Sequence, residues 1–328
     1  MNHLHLLIPD LFPPREVAAE VCAGLHLPAL EKLLARGKAS VVPPISLEDR
    51  LCAVFSAEGI APVRAAADGL NVDEGYWLCA DPVSLQLQRA QMMLVPDVAA
   101  SEEEVAALCL SLNEYFGDTG LAFFAPHPQR WYVRLDIDPQ LMTTPLRQVE
   151  WQDAKFHQPQ GADALHWQTM ITEMQMVLYA HPLNRVREER GELVINNLWL
   201  WGGGRAVRLK SEFDALCGDN VLAGAFARGA DLPQVDLLQM LRDERLQNVL
   251  CVWATLGDAT QRGDFYAWRE AVLQLEQDFF QPVLKHLQTG RLRQLKLEVV
   301  GGSQCYDISR GDLWKVWRTK RQLVNYAA

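Results

Sequence analysis

The chain of 328 residues lacks any apolar run near the roughly 18 to 20 residues that a bilayer-spanning helix requires. Its opening, Met1-Asn2-His3-Leu4-His5, lacks the cationic start of a signal peptide. Cysteine is present but unpaired in pattern: the seven residues at 22, 52, 79, 109, 217, 251 and 305 are odd in number and widely spread, with no C-x-x-C. That spacing excludes a disulfide framework and a zinc knuckle. Basic residues are outnumbered, 31 against 41 acidic, and the net charge of −10 disfavours a general nucleic-acid binder, which needs a basic surface to displace phosphate counterions. No P-loop, G-x-G-x-x-G, G-x-S-x-G or H-E-x-x-H occurs. These absences together predict a cytoplasmic protein without a membrane or nucleic-acid partner.

What is present reads as strands mixed with helices. His5–Pro9 is a short buried first strand, closed by the Pro-rich stretch through Pro14. Leu27 to Arg36 places Leu30, Leu33 and Leu34 on one helical face, with Gly37 where a helix stops. Residues 76–80 and 91–95 read as strands flanking a connection over Asp81–Gln86, and Ser101-Glu102-Glu103-Glu104 is a capping box opening a helix to about Phe116. Residues 131–136 alternate as a half-exposed strand, 142–163 form a polar excursion, and Met170, Met174, Val177 and Leu178 form the inner stripe of a helix. Asn197–Trp201 and Val249–Ala254 are buried strands, and Phe265–Leu287 is a long helix that Pro282 should kink. Leu295, Leu297 and Val299, then Gly301-Gly302 and Cys305–Ile308, signal a hairpin. The pattern predicts one α/β domain over 1–328 with a largely parallel sheet and an antiparallel hairpin addition.

The richest chemistry lies in His181-Pro182-Leu183-Asn184-Arg185-Val186-Arg187-Glu188-Glu189-Arg190-Gly191, followed by Asn197–Trp201 and the glycines 202, 203 and 204. Arginines can grip an anion bidentately and glycine amides can approach one closely, so His181, Asn184, Arg185, Arg187, Arg190, Gly202, Gly203 and Gly204 are candidate ligand-binding residues. The plainer reading makes Asn184 a cap and lets the glycines release the strand. Near the C-terminus, Arg310–Arg321 carries five basic residues with Trp314 and Trp317, a spacing that suits the packed face of a terminal helix.

The pattern H-P-x-N-x-x-R-x-x-x-G followed by N-x-x-W-x-W-G-x-G resembles the archaeal-type cofactor-independent phosphoglycerate mutases, and more closely a bacterial group of RpfE-type regulatory proteins. HLLIP at His5–Pro9, YWLCADPVSL at Tyr76–Leu85 and RGDLWKVWR at Arg310–Arg318 are similar to that group as well. The resemblance implies an alkaline-phosphatase-like three-layer sandwich. It also implies a centre of two divalent metals held by several Asp and His residues beside a Ser or Thr nucleophile, an arrangement that stabilises both oxygens of an in-line phosphoryl transfer.

Against that pattern, Val249–Asp264 holds no histidine, where the mutases carry H-x-x-x-x-D-x-x-G-H, and only His286 follows His181. The sequence therefore predicts a non-catalytic, regulatory descendant that binds a small anionic ligand or a protein partner and needs no cofactor. The alternative is a mutase or phosphohydrolase with a reduced site for Mn or Zn, built from Asp10, Asp258 and Asp264 with Ser46 as nucleophile.

Overall fold

A computed structural model describes residues 1–72 and 74–327. In chain order its elements are β1 (His3–Pro9), α1 (Arg15–Val21), α2 (Pro28–Arg36), β2 (Lys38–Val41), α3 (Leu47–Phe55), α4 (Ile60–Ala67), β3 (Tyr76–Gln88), β4 (Gln91–Val95), α5 (Glu102–Phe116), β5 (Leu121–His127), β6 (Arg130–Leu135), β7 (Leu141–Met142), β8 (Gln160–Gly161), α6 (Ala164–Ala180), α7 (Pro182–Glu189) and β9 (Asn197–Arg205). They continue with β10 (Ala215–Gly218), α8 (Val221–Gly229), β11 (Gln234–Val235), α9 (Leu237–Arg242), β12 (Asn248–Val252), α10 (Thr255–Gln261), α11 (Phe265–Leu275), α12 (Gln281–Thr289), β13 (Gln294–Val300) and β14 (Gln304–Ser309). The chain gathers into two compact units, residues 1–55 with 209–328 and residues 56–208. The expected polar excursion at 142–163 lies inside the second unit.

The first unit is built on a sheet of order β11-β10-β12-β1-β13-β14-β2. β11, β10, β12, β1 and β13 run parallel, β14 is added antiparallel to β13, and β2 pairs antiparallel with β14 and so runs again in the direction of the parallel strands. β1 is buried from Leu4 to Pro9 because it sits mid-sheet with helices on each side; one face is apolar through Leu4, Leu6 and Ile8, while the other carries His5 beside Leu7. Leu4, Leu6 and Ile8 join Val249, Leu295 and Leu297 beneath Leu30 and Leu33 of α2, Trp268 of α11 and Val283 of α12. On the other face Phe55 of α3 meets Phe226 of α8, ring centroids 5.4 Å apart. This is the α/β sandwich, largely parallel with a hairpin addition, that the sequence predicts.

The second unit holds an antiparallel sheet of order β4-β3-β6-β5, with β9 on the free flank of β3. Leu108 and Leu112 of α5 and Met174 and Leu178 of α6 cover Leu78, Val133, Leu198 and Leu200. Ser101 caps α5 and Glu104 closes the capping box as expected.

Several local readings change. Asp81–Gln86 is not a connection but the middle of a 13-residue strand. β3 pairs with β6 up to Cys79 and with β4 from Ser84, so Pro82 falls in the gap between partners on that side, where a missing donor costs least. β6 is an inner strand with Trp131, Tyr132 and Val133 buried, because its polar face is taken into a side-chain network rather than solvent. The helix from Phe265 is interrupted by a single π turn at Glu276–Phe280, and Pro282 stands in the first turn of α12, where no donor is required. Gly37 ends α2 without left-handed geometry; a Cβ there would lie 2.7 Å from Ile308, so close packing explains it. Residues 310–321 form no α-helix, and Trp314 and Trp317 lie in solvent instead of packing.

Candidate functional site at the strand carboxyl ends

In a parallel sheet flanked by helices, ligands bind outside the carboxyl ends of the strands. Four segments meet that edge of the first unit. Asp10 follows β1 directly in a left-handed conformation (φ 50°), and its carbonyl accepts a hydrogen bond of 3.0 Å from Trp268 Nε1. Ser46 opens α3, and the preceding Ile45 carbonyl accepts from the Gly301 amide at the end of β13, 2.8 Å away. Asp258 lies in the first turn of α10, just after β12. Asp219 follows β10; its carboxylate accepts from the Ala254 amide at 2.9 Å and from the Thr255 hydroxyl, tying two strand ends together.

Topology thus brings Asp10, Ser46 and Asp258 to one edge. Asp264 stands one helix further along and caps α11, accepting from the Ala267 amide at 2.9 Å. Ser46 Oγ accepts from the Asp49 amide at 3.0 Å and donates to Asp49 Oδ2 at 2.7 Å. Asp219 and Thr255 were missed by sequence reasoning, although an acid immediately after the strand-like run Ala215–Gly218 is a readable signal.

The α7–β9 region places its candidates differently. His181 caps α7, its Nδ1 accepting from the Leu183 amide at 3.2 Å, and burial lowers its pKa. Asn184 is buried; its amide donates to the Leu178 and Ile195 carbonyls, both at 2.7 Å, and its oxygen accepts from the Ile195 amide. Arg187 is buried too, donating to the Leu193 and Ala99 carbonyls and to Glu104. Arg185 is solvent-exposed and pairs with Glu189. Arg187 and Arg190 line a groove of about 750 Å³ together with Asp97, Glu104 and Glu192, so an anion there would also meet three carboxylates. The glycines are packing sites: a Cβ on Gly202 would lie 2.9 Å from Ile60, on Gly203 2.5 Å from the Tyr76 hydroxyl, and on Gly204 2.6 Å from the Gly59 nitrogen.

A second network that the sequence did not reveal binds α4 to β3 and β6. Arg64 donates both terminal nitrogens to Asp81 and its Nε to the Tyr132 hydroxyl, which in turn donates to Asp68 at 2.6 Å; Arg130 also grips Asp68. Trp201 Nε1 donates to Asp81 at 2.8 Å. Burial works against the Arg64 charge, but the Asp81 carboxylate beside it raises the pKa well above the usual value. Burial likewise opposes ionisation of Asp68, and hydrogen bonds from Arg130 and Tyr132 nevertheless hold it low. These charges compensate one another and fasten α4 to the sheet.

No family model matches the chain. A 2,3-bisphosphoglycerate-independent phosphoglycerate mutase of Methanosarcina acetivorans is 25% identical over 248 residues, 70% of this chain and 59% of that protein. A probable mutase of the same kind from Geobacter sulfurreducens is 34% identical over 92 residues, 28% of this chain and 22% of its own length. Among solved structures, the PH0037 protein of Pyrococcus horikoshii superposes with a TM-score of 0.55 at 14% identity, covering 94% of this chain and 87% of that one. The cofactor-independent phosphoglycerate mutase of Thermoplasma acidophilum gives 0.50 at 13%, covering 99% and 94%.

The chain is a distant homologue of the cofactor-independent phosphoglycerate mutases. It spans less than two thirds of the length of the Methanosarcina relatives, at 59% and 56%. This homology overturns the expectation of a non-catalytic protein, since the relatives carry the name of a catalytic mutase. The expectation of no cofactor falls with it, because the resembled mutases work with divalent metal. The donors present do not fit that metal centre: among the described residues no three His, Cys, Asp or Glu side chains come together to hold an ion. Asp219 and Asp264 are engaged as caps and ties, and imidazole is missing from Val249–Asp264.

Proposed function

We propose that the chain is a phosphoglycerate-mutase-like phosphotransferase or phosphohydrolase that works at the carboxyl ends of the parallel strands. The observation that carries this is homology to named mutases along 70% of the chain, on a fold whose strand ends bear Asp10, Asp219 and Asp258 with the hydroxyls of Ser46 and Thr255. Ser46 is the phosphoryl acceptor in this reading. Its hydroxyl proton points at the Asp49 carboxylate, which leaves an oxygen lone pair for phosphorus. Placement near the RpfE-type group rests on the HLLIP, YWLCADPVSL and RGDLWKVWR patches. A cytoplasmic setting is supported by seven free cysteines, and no described helix is long and apolar enough to cross a membrane.

The test is a coupled assay of 3-phosphoglycerate conversion to 2-phosphoglycerate, run beside phosphate release from the same compound, with Mn²⁺ or Zn²⁺ titrated and with chelator. Turnover that Ser46→Ala abolishes is the expected result. Absence of turnover in the wild-type chain at every metal concentration would refute the proposal.

A further inference from the structure

The order of the strands reverses between β10 and β12. These two are parallel neighbours, but the chain leaves β10 outward to β11 through α8 and leaves β12 the other way, across β1 to β13, through α10, α11 and α12. The connections also part to opposite faces of the sheet. Leu256 and Ala259 of α10 join the core shared with α2, α11 and α12, whereas Phe226 of α8 meets Phe55 of α3 on the other side. Between two such strands the following loops separate and leave a crevice outside the carboxyl ends, and in open α/β sheets this is where ligands bind. Asp219 follows β10 at this point and Thr255 opens α10 after β12, and both residues are exposed.

The hydrogen bonding of this pair decides what it can meet. Asp219 accepts from the Ala254 amide at 2.9 Å and from the Thr255 hydroxyl. A carboxylate has no proton to give, so the threonine hydroxyl is committed as the donor and only its lone pairs remain for a ligand. Whatever approaches Thr255 must therefore donate. A phosphoryl group, negative and rich in acceptors, is disfavoured beside this carboxylate, whereas an alcohol hydroxyl finds acceptors on both residues.

We propose that Thr255, held by Asp219, is a specificity-determining residue that reads the free hydroxyl of a phosphorylated hydroxy acid. The inference rests on the phosphotransfer reading above, in which Ser46 takes the phosphoryl group. Calorimetric titration of the full chain in Mn²⁺ with 3-phosphoglycerate, and with 3-phosphooxypropanoate, the same acid without its hydroxyl, tests it. The expected result is roughly three- to tenfold weaker binding of the compound without the hydroxyl, the worth of one hydrogen bond to a neutral group. Thr255→Val keeps the shape and removes the lone pairs, so it should bind the two compounds alike, and Thr255→Ser should retain the difference. A residue that only ties the strand ends would change both affinities equally. Equal affinities in the wild-type chain, binding of neither compound, or a difference that survives in Thr255→Val overturns the inference. Discrimination between the compounds without turnover in the coupled assay would fail the phosphotransfer reading alone.

Discussion

Glu298 is a carboxylate in the middle of the first unit's sheet, and its replacement by glutamine tests how α3 is held. The side chain is only 2% exposed; the Arg50 guanidinium from α3 pairs with one oxygen and His5 Nε2 of β1 lies 3.2 Å from the other. Removing one member of a buried ion pair costs about 3–5 kcal/mol, because the remaining charge stays desolvated. Arg50 is 25% exposed and can turn toward water, and the glutamine oxygen still meets His5, so the cost of Glu298→Gln should fall to roughly 2 kcal/mol. The assay is native-state hydrogen exchange at the β13 amides together with urea unfolding followed on the first unit. Adding Arg50→Met to Glu298→Gln should cost little more, since the stranded Arg50 charge is then gone and the other cation at this carboxylate, Lys296 at 4.0 Å, is exposed enough to turn to water. A change below about 0.5 kcal/mol in the single variant, or strict additivity in the double, would refute the argument that this pair anchors α3.

Burial above all lowers the His5 pKa from 6.5, with Glu298 pulling the other way, so the unfolded chain takes up this proton first and stability falls as pH drops below about 6.5 toward the folded value. Glu298 behaves alike further down: burial opposes its charge, but the His5 hydrogen bond and Arg50 hold its pKa low, so its contribution is present above the unfolded value near 4.5 and lost as pH falls through the folded one. Each group adds at most about 1.4 kcal/mol per pH unit. His5→Asn should therefore flatten the upper limb of stability against pH, as read by urea midpoints between about pH 7.5 and 5.5; parallel curves would remove His5 from the account. Gly204→Ala should destabilise by about 1–3 kcal/mol in thermal unfolding, because the new methyl meets the Gly59 nitrogen at 2.6 Å and its Cα at 2.8 Å, backbone atoms that cannot swing aside.

Much of the scaffold was readable because it is written in local patterns. Apolar runs marked β1, β9 and β12, alternation around Gly301-Gly302 marked the β13–β14 hairpin, and Ser101 with Glu104 marked the start of α5. What was not readable depends on partners distant in sequence. Nothing local in residues 1–55 says that they share a core with 209–328. Arg187 looked like an anion grip because its acceptors, Glu104 and the Ala99 carbonyl, lie 83 and 88 positions away. Tyr132 looked like the wet side of a half-exposed strand because Arg64 and Asp68 reach it from α4 and its end. The indoles of Trp314 and Trp317 fit a helical spacing, but Asp312 and Arg318 fix a turn instead.

Asn184, Arg187 and the glycines 202–204, which carried part of the family resemblance, make structural contacts, and this bears on where the proposed activity should be sought. Asn184 holds the end of α6 to the entry of β9 with three hydrogen bonds, Arg187 ties α7 to the start of α5, and the 202–204 glycines let β9 lie against Ile60 and Gly59. The polar groups of Asn184 and Arg187 are met by backbone carbonyls, a backbone amide and the carboxylates of Glu104 and Glu192. All of these residues belong to the second unit, whereas Asp10, Ser46, Asp219, Thr255 and Asp258 belong to the first. Substitutions in α7 should therefore act through stability of the second unit, and loss of turnover at unchanged stability should come only from the strand ends of the first.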